Sequence, residues 1–323
     1  MLKIIFMSNG YFGIPTLKIL LKKKNIKINY IITSKKNFIN SKPNLIKKIS
    51  KKYNIKIINS DKIEKTKNII KINNSKPDLI LIISFKIISK KIWRIPRLGT
   101  INIHPSLLPN YKGPCPINWA IINNEKYTGL TSFFINDNID GGPIILQKKI
   151  KINSNIDFIS LYKLLSIYTK KFVLKTILYV IKKKRKKLKN NFLIKNLKKA
   201  PKINNYFSKI SFYQIKEKIN KLILGLPSNK PAWCFLNIYK DIYIFNIYKI
   251  NININKKDYK YLKLNYYKSH IGDFIYYKKK IFIKIKNDFI ELLICQLNNR
   301  KKMNILNLYN GLKFKNFKNI FLF

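Results

Sequence analysis

The sequence predicts an α/β protein, a doubly wound and mostly parallel sheet followed by a small β-barrel. Three observations predict it. Short apolar runs alternate with stretches of helical spacing through the first half of the chain, the pattern of βαβ units. One run, residues 79–84, is a continuous apolar strand, as expected where helices cover both faces of a sheet. Beyond about residue 206 short alternating runs succeed one another, the pattern of a small barrel.

The elements follow in order. Residues 2–7 form an apolar strand ended by Ser8-Asn9-Gly10, and residues 14–22 carry Ile14, Leu17, Leu20 and Leu21 at helical spacing. A second strand spans 26–32 and stops at Thr33-Ser34. Residues 35–44 are polar and basic with Pro43, and read as a loop. Helix, strand and helix follow over 45–53, 55–58 and 63–72, then strands over 79–84 and 98–103. Strands at 130–135 and 144–150 precede a long amphipathic helix over 158–181 and a basic run over 182–189. A composition shift places a catalytic-sized domain at 1–189, a basic linker carrying Pro201 at 190–205, and the second domain at 206–323. In that domain a helix over 211–224 precedes strands at 234–238, 242–250, 272–277, 281–285 and 289–295. The Asn/Lys/Tyr-rich stretch 251–268 reads as a surface loop.

Composition narrows the function classes. The 323 residues, 46% hydrophobic and 13% aromatic, suffice for a core in each of two domains. Lys and Arg number 67 against 13 Asp and Glu, a formal net charge of +54, yet only four of the 67 are arginines. Phosphate recognition favours the planar, bidentate arginine fork. The excess of Lys, Ile, Asn, Tyr and Phe therefore reflects A/T-rich codons in part, and the charge permits an anionic partner without proving one. Three scattered cysteines without a CxxC support neither a disulfide framework nor a four-ligand zinc site. No stretch reads as a signal peptide or a membrane span, so a soluble, cytoplasmic protein is expected. Residues 8–13 lack the first glycine of a dinucleotide loop, and no acid follows about twenty residues on, which argues against a nucleotide cofactor.

Chemistry concentrates in one stretch. Only two histidines exist, His104 and His270. Alternation along a strand puts Asn102 and His104 on one face, near the carboxyl end of a central strand, where open α/β sheets bind ligands. An amide donor beside a proton-carrying ring suits an oxyanion site. The acidic, glycine-rich turn Asp137-Asn138-Ile139-Asp140-Gly141-Gly142 offers a carboxylate to orient that ring and accept a proton. Each signal alone is as compatible with a satisfied polar pair or a solvated turn; the joint pattern carries the weight.

That joint pattern is long. Asn102-Ile103-His104-Pro105-Ser106-Leu107-Leu108-Pro109-Asn110-Tyr111-Lys112-Gly113, then Pro116-Ile117-Asn118-Trp119-Ala120-Ile121, Thr128-Gly129-Leu130-Thr131 and Ile139-Asp140-Gly141-Gly142, resembles the 10-formyltetrahydrofolate-dependent formyltransferases. Phe6-Met7-Ser8-Asn9-Gly10-Tyr11-Phe12-Gly13-Ile14-Pro15 is similar to that family's Phe-Met-Gly-Thr-Pro-x-Phe-Ala-Val-Pro start. Gly225-Leu226-Pro227 with Pro231-Ala232-Trp233 is similar to its C-terminal barrel. The resemblance covers nearly the whole chain and is strongest to members that formylate the methionine on initiator tRNA. It implies a Rossmann-like catalytic domain and an OB-like barrel that binds tRNA. It also implies catalytic roles for Asn102, His104 and Asp140, and folate contact by Ser106, Leu107, Leu108 and Pro109. The reaction implied is direct attack of the methionyl α-amine on the formyl carbon of 10-formyltetrahydrofolate through a tetrahedral intermediate. Asn102 and protonated His104 would stabilise the oxyanion, Asp140 would take the amine proton, and no metal is needed. A monomer is expected.

The expected tRNA contacts are Lys35, Lys36, Lys42, Lys182, Lys183 and Arg185, with Lys47, Lys48, Lys51 and Lys52 as further candidates; a solvated basic face explains any single one equally well. The chain departs from the family pattern at Ser8-Asn9-Gly10, at Pro105, at Asn110-Tyr111-Lys112 (where Arg-Trp-Arg is usual), at Phe85-Lys86 and at Gly141. Its loop 35–43 lacks arginine. These departures bear on substrate affinity more than on reaction type. Glycinamide ribonucleotide and sugar-nucleotide formyl transfer are the alternative reactions, and a non-catalytic RNA-binding module on the same scaffold is the alternative of another class. Cys115 and Trp119 are expected to pack, and His270 to lie in a surface loop.

Overall fold

The structure, a computed structural model, describes residues 1–34, 45–183, 196–238, 241–298, 300–311 and 320–322. The chain divides into two compact units. The first holds Met1–Ile117, Lys126–Asn153 and Ile159–Pro201; the second holds Asn118–Glu125, Ser154–Phe158 and Lys202–Phe323.

Through the first 183 residues the elements run β1 (Leu2–Ser8), α1 (Ile14–Leu21), β2 (Ile26–Thr33), α2 (Leu45–Lys52), β3 (Lys56–Asn59), α3 (Thr66–Asn74), β4 (Leu79–Ile83), α4 (Lys90–Trp93), β5 (Thr100–His104), α5 (Pro116–Ile122), β6 (Tyr127–Phe134), β7 (Ile144–Lys151) and α6 (Phe158–Lys183). The sheet order is β3-β2-β1-β4-β5-β6-β7. The first five strands are mutually parallel and β6 and β7 antiparallel, which bears out the doubly wound, mostly parallel sheet. The winding reverses between β1 and β4, and sheets of this kind take ligands outside the carboxyl ends of the strands at such a point. The apolar runs of β1 and β4 lie at the centre, with Ile4, Ile5, Phe6 and Met7 fully buried and β4 buried along its length. Helix α1 starts on Ile14-Pro15, a proline placed where its missing N–H costs nothing, and buries Leu17 and Leu20. Helix α6 buries Leu161, Leu165, Phe172, Val173, Ile177 and Val180, at spacings of one to seven residues that keep them on one side.

In the second unit α7 (Asn205–Ser208) and α8 (Lys216–Gly225) precede β8 (Ala232–Ile238) and β9 (Asp241–Asn251), α9 (Lys256–Tyr266), β10 (Phe274–Tyr277), β11 (Lys280–Ile285), β12 (Asp288–Leu297), β13 (Met303–Asn304), α10 (Ile305–Gly311) and β14 (Ile320–Leu322). The antiparallel sheet runs β10-β11-β12-β9-β8-β14, with β13 on β12. Its two ends meet where the Leu322 N–H donates to the Gly272 carbonyl at 3.0 Å, the closure expected of a small barrel. One expectation fails: 251–268 is not simply a surface loop but contains α9. Asn255 caps that helix, its Oδ1 accepting from the Asp258 N–H at 2.8 Å. Leu262 is fully buried against Ile275, Phe282 and Phe289, with Tyr259 and Tyr266 packed beside it. The 259, 262, 266 spacing is helical, but tyrosines and leucine diluted among Asn and Lys hide it. No described helix is long and apolar enough to cross a membrane.

Candidate active site

Strand β5 carries Asn102 and His104 two residues apart at its carboxyl end, between parallel β4 and antiparallel β6. His104 is 6% exposed. Asn102 is half-buried, and its side-chain amide has no hydrogen-bond partner among the described residues. A half-buried amide with free donors at the carboxyl end of a central strand can donate to a carbonyl oxygen.

His104 is oriented from both sides. Its Nε2 lies 2.9 Å from the Tyr111 carbonyl. A carbonyl only accepts, so Nε2 carries the hydrogen and donates it. That leaves Nδ1 facing Asp140, whose Oδ2 is 3.8 Å away. Asp140 sits in the left-handed region at φ +47°, and the same Oδ2 accepts from the Gly113 N–H at 3.0 Å. The loop 110–113 thus holds both partners, one by a carbonyl and one by an amide. Its backbone is turned to do so: Tyr111 has φ +60° and Gly113 has φ +122°. A Cβ at Gly113 would stand 2.5 Å from the Ala200 carbonyl oxygen, so this position admits only glycine. Burial pushes the His104 imidazolium below its ordinary value, against smaller upward contributions from the Asp140 carboxylate and the Tyr111 carbonyl. The resting ring is therefore neutral near pH 7.

The turn 106–109 follows β5 just after this histidine, and the two antiparallel strands of the sheet pin it. Thr131 Oγ1, fully buried on β6, donates to the Ser106 carbonyl at 2.7 Å and accepts from the Leu108 N–H at 3.1 Å. Gln147 Nε2 on β7 donates to the Leu108 carbonyl at 2.7 Å and to Thr131 Oγ1 at 3.0 Å. Ser106 Oγ closes the turn onto the Asn110 carbonyl at 2.8 Å. Sequence reasoning placed Thr131 in a motif without a role and missed Gln147 altogether. The available signal was register: Thr131 pairs with both His104 and Gln147, so a polar residue across the strand from the histidine was the one to ask about.

The structure brings together Asn102, His104, Asp140 and residues 106–109. Lys35, Lys36, Lys42 and Arg185 lie outside the described residues. Lys182 is exposed near the end of α6, and Lys183 ends that helix. Lys47, Lys48, Lys51 and Lys52 are exposed on α2. His270 is exposed and Cys115 half-buried with a free thiol. Trp119 is half-buried and meets Phe207 edge-on at 5.4 Å. Among the described residues no three His, Cys, Asp or Glu side chains gather as a metal site would need. The departure at Ser8 has a structural counterpart: a Cβ at Gly13 would fall 2.3 Å from Ser8 Oγ and 2.8 Å from Ser8 Cβ. Ser8 and Gly13 thus pack as a complementary pair, the serine side chain filling the space that the glycine leaves.

Comparison with known proteins finds relatives along nearly the whole chain. Residues 2–177 match the family model described as formyl transferase, and 202–313 match that of the formyl transferase C-terminal domain. The chain is 31% identical over 323 residues to the methionyl-tRNA formyltransferase of Flavobacterium johnsoniae, covering 97% of each. It is 29% identical over 331 residues to the enzyme of that name from Flavobacterium psychrophilum, covering 99% of each. Among solved structures, a sugar 3N-formyl transferase crystallised with dTDP and 5-N-formyl-THF shares the fold at a TM-score of 0.62 and 23% identity, over 93% of this chain and 99% of that one.

Proposed function

The chain belongs to the formyl transferase family, and from that premise we propose that it transfers a formyl group from 10-formyltetrahydrofolate to the α-amine of methionine on initiator tRNA. One observation carries the choice of acceptor. The likeness to methionyl-tRNA formyltransferases runs through both units, at 97% of either chain, and so includes the C-terminal domain, for which glycinamide ribonucleotide transfer gives no reason.

The roles proposed for the residues follow from their geometry. The unpartnered Asn102 amide offers an N–H to the negative charge that develops on the formyl oxygen. The rigid turn of Ser106, Leu107, Leu108 and Pro109 forms the wall against which the folate is held. The amine attacks the formyl carbon, a C–N bond forms, and the bond from that carbon to the folate nitrogen breaks. The neutral amine sheds one proton, which passes by way of the Asp140 carboxylate to His104 Nδ1 and then to the departing nitrogen, so the reaction releases no net proton. His104 can take it because its Nε2–H stays on Tyr111 and its Nδ1 rests unprotonated. Protonation turns two facing acceptors into an ion pair. The protonated His104 expected at the oxyanion is thus the form reached during turnover from a neutral resting ring.

Residues 206–323 are proposed to bind the tRNA, with Lys182 and the basic stretches before and after it meeting phosphates, and the protein is proposed to work as a cytoplasmic monomer. The test incubates it with 10-formyltetrahydrofolate and charged initiator tRNA and measures formyl-methionine. Formylation of glycinamide ribonucleotide or of an amino-sugar nucleotide instead would transfer the reading to those acceptors. Binding of tRNA without turnover would make the protein a recognition module.

A further inference from the structure

We infer that residues 198–200, close to the point where the chain passes into the second unit, are a positioning element for the His104–Asp140 pair. The inference deepens the proposed function and rests on it for its kinetic arm only. The stretch lies in what the composition marks as linker, yet it is laid along the loop 110–115 in a parallel bridge of Lys199 with Lys112. The Tyr111 N–H donates to the Lys198 carbonyl at 2.6 Å, the Ala200 N–H to the Lys112 carbonyl at 2.8 Å, and the Cys115 N–H to the Ala200 carbonyl at 3.2 Å. Asn110 Oδ1 adds a fourth bond, accepting from the Lys198 N–H at 3.1 Å. Ala200 is fully buried, and its carbonyl fills the space that Gly113 leaves empty.

Each end of that ladder touches the site through one atom. Tyr111, whose N–H is tied to Lys198, supplies the carbonyl for His104 Nε2. Gly113, packed on Ala200, supplies the N–H for Asp140 Oδ2. With Tyr111 and Gly113 both at positive φ, the loop has no regular structure of its own to keep those two groups in place. The backbone of 198–200 keeps them. The side-chain bond depends on the residue type: a side chain without an acceptor at 110, such as arginine, has nothing to offer the Lys198 N–H.

The test uses the full chain with two kinds of variant. Ala200→Pro deletes the donor to Lys112, and Asn110→Ala deletes the acceptor for Lys198. Because only two histidines exist, the ring N–H of His104 can be followed by NMR against exposed His270. In the unaltered protein a protected Nε2–H signal is expected, and in Ala200→Pro it should exchange rapidly or vanish. The kcat for formyl transfer should fall about tenfold or more in Ala200→Pro and about threefold in Asn110→Ala, the latter the size of one hydrogen bond, with the folate KM within about twofold in both. Asn110→Asp keeps the acceptor and should restore kcat. If Ala200→Pro does not fold, the Asn110 pair decides. An unchanged His104 N–H signal and unchanged kcat in Asn110→Ala, or a failure of Asn110→Asp to restore it, overturns the inference. Absence of formyl transfer by the unaltered protein would sink the proposed reaction while leaving the NMR arm to judge the clamp.

Discussion

Two consecutive stretches, 106–109 and 110–113, follow the same histidine and are held in opposite ways. The first is pinned by side chains that reach across the sheet, Thr131 from β6 and Gln147 from β7. The second is pinned mainly by backbone, through the ladder to 198–200. The first is proposed to wall the folate and the second to orient the groups that move a proton. A wall needs a fixed shape, and Thr131 and Gln147 provide it by using their donors and acceptors on the turn's own peptide groups. A proton-transfer pair needs one carbonyl and one amide at fixed points, and a paired backbone supplies both whatever side chains it carries. Substitution should therefore separate the two stretches: changes behind the first alter donor affinity, and changes behind the second alter turnover.

The largest effect should come from the groups that the second stretch holds and from their neighbour. Asp140→Ala and Asn102→Ala should each lower kcat by about a hundredfold, as for the loss of an acid/base group or an oxyanion donor; steady-state formylation rates check this, and near-normal turnover removes that residue from the mechanism. Behind the first stretch, Gln147→Glu replaces a double donor with an acceptor facing the Leu108 carbonyl. It should raise the folate KM about tenfold, the effect of a lost hydrogen bond and an unfavourable carbonyl contact, with a smaller change in kcat. Thr131→Val should act alike and Thr131→Ser should not. A kcat loss at constant KM in Gln147→Glu would erase the distinction between the stretches.

The pH dependence sharpens the comparison further. Burial lowers His104 below its ordinary 6.5, so the neutral ring that accepts the proton persists on acidification, and kcat should hold down to about pH 6.5 and decline only below it. Asp140→Asn removes a contribution that favours the imidazolium, and the NMR midpoint of His104 should then drop further. Smallest in its effect on catalysis is the exchange at the switch point. Gly13→Ala should cost about 1–3 kcal/mol of stability by overpacking against Ser8. Ser8→Gly added to it should recover most of that, as thermal melts of the two single variants and the double variant would reveal.

The residues of both stretches stand, with Asn102, His104 and Asp140, in motifs read from the amino-acid order, and strand alternation alone put Asn102 and His104 on one face; what holds each stretch in place was not legible there. The apolar runs of β1 and β4 marked the sheet's centre because strands covered on both faces leave no polar positions. The ladder to 198–200 leaves no such trace: its bonds join peptide groups that every residue possesses, and the segment's Lys-rich composition reads as linker. Helix α9 stayed hidden for a related reason, since its buried face uses Tyr259, Leu262 and Tyr266 within a stretch whose remaining residues are mostly Asn and Lys. What the residue types announce is chemistry and burial; what the peptide groups do among themselves is settled only when distant segments meet.

The central claim is that a neutral His104, fixed at Nε2 and facing Asp140 at Nδ1, carries the proton of formyl transfer. Single-turnover transfer from pre-bound 10-formyltetrahydrofolate to methionyl initiator tRNA, compared between the unaltered protein and His104→Ala, tests it most directly. The expected result is a rate about a hundredfold lower with donor affinity within about twofold. Transfer by His104→Ala at close to the unaltered rate would contradict the account.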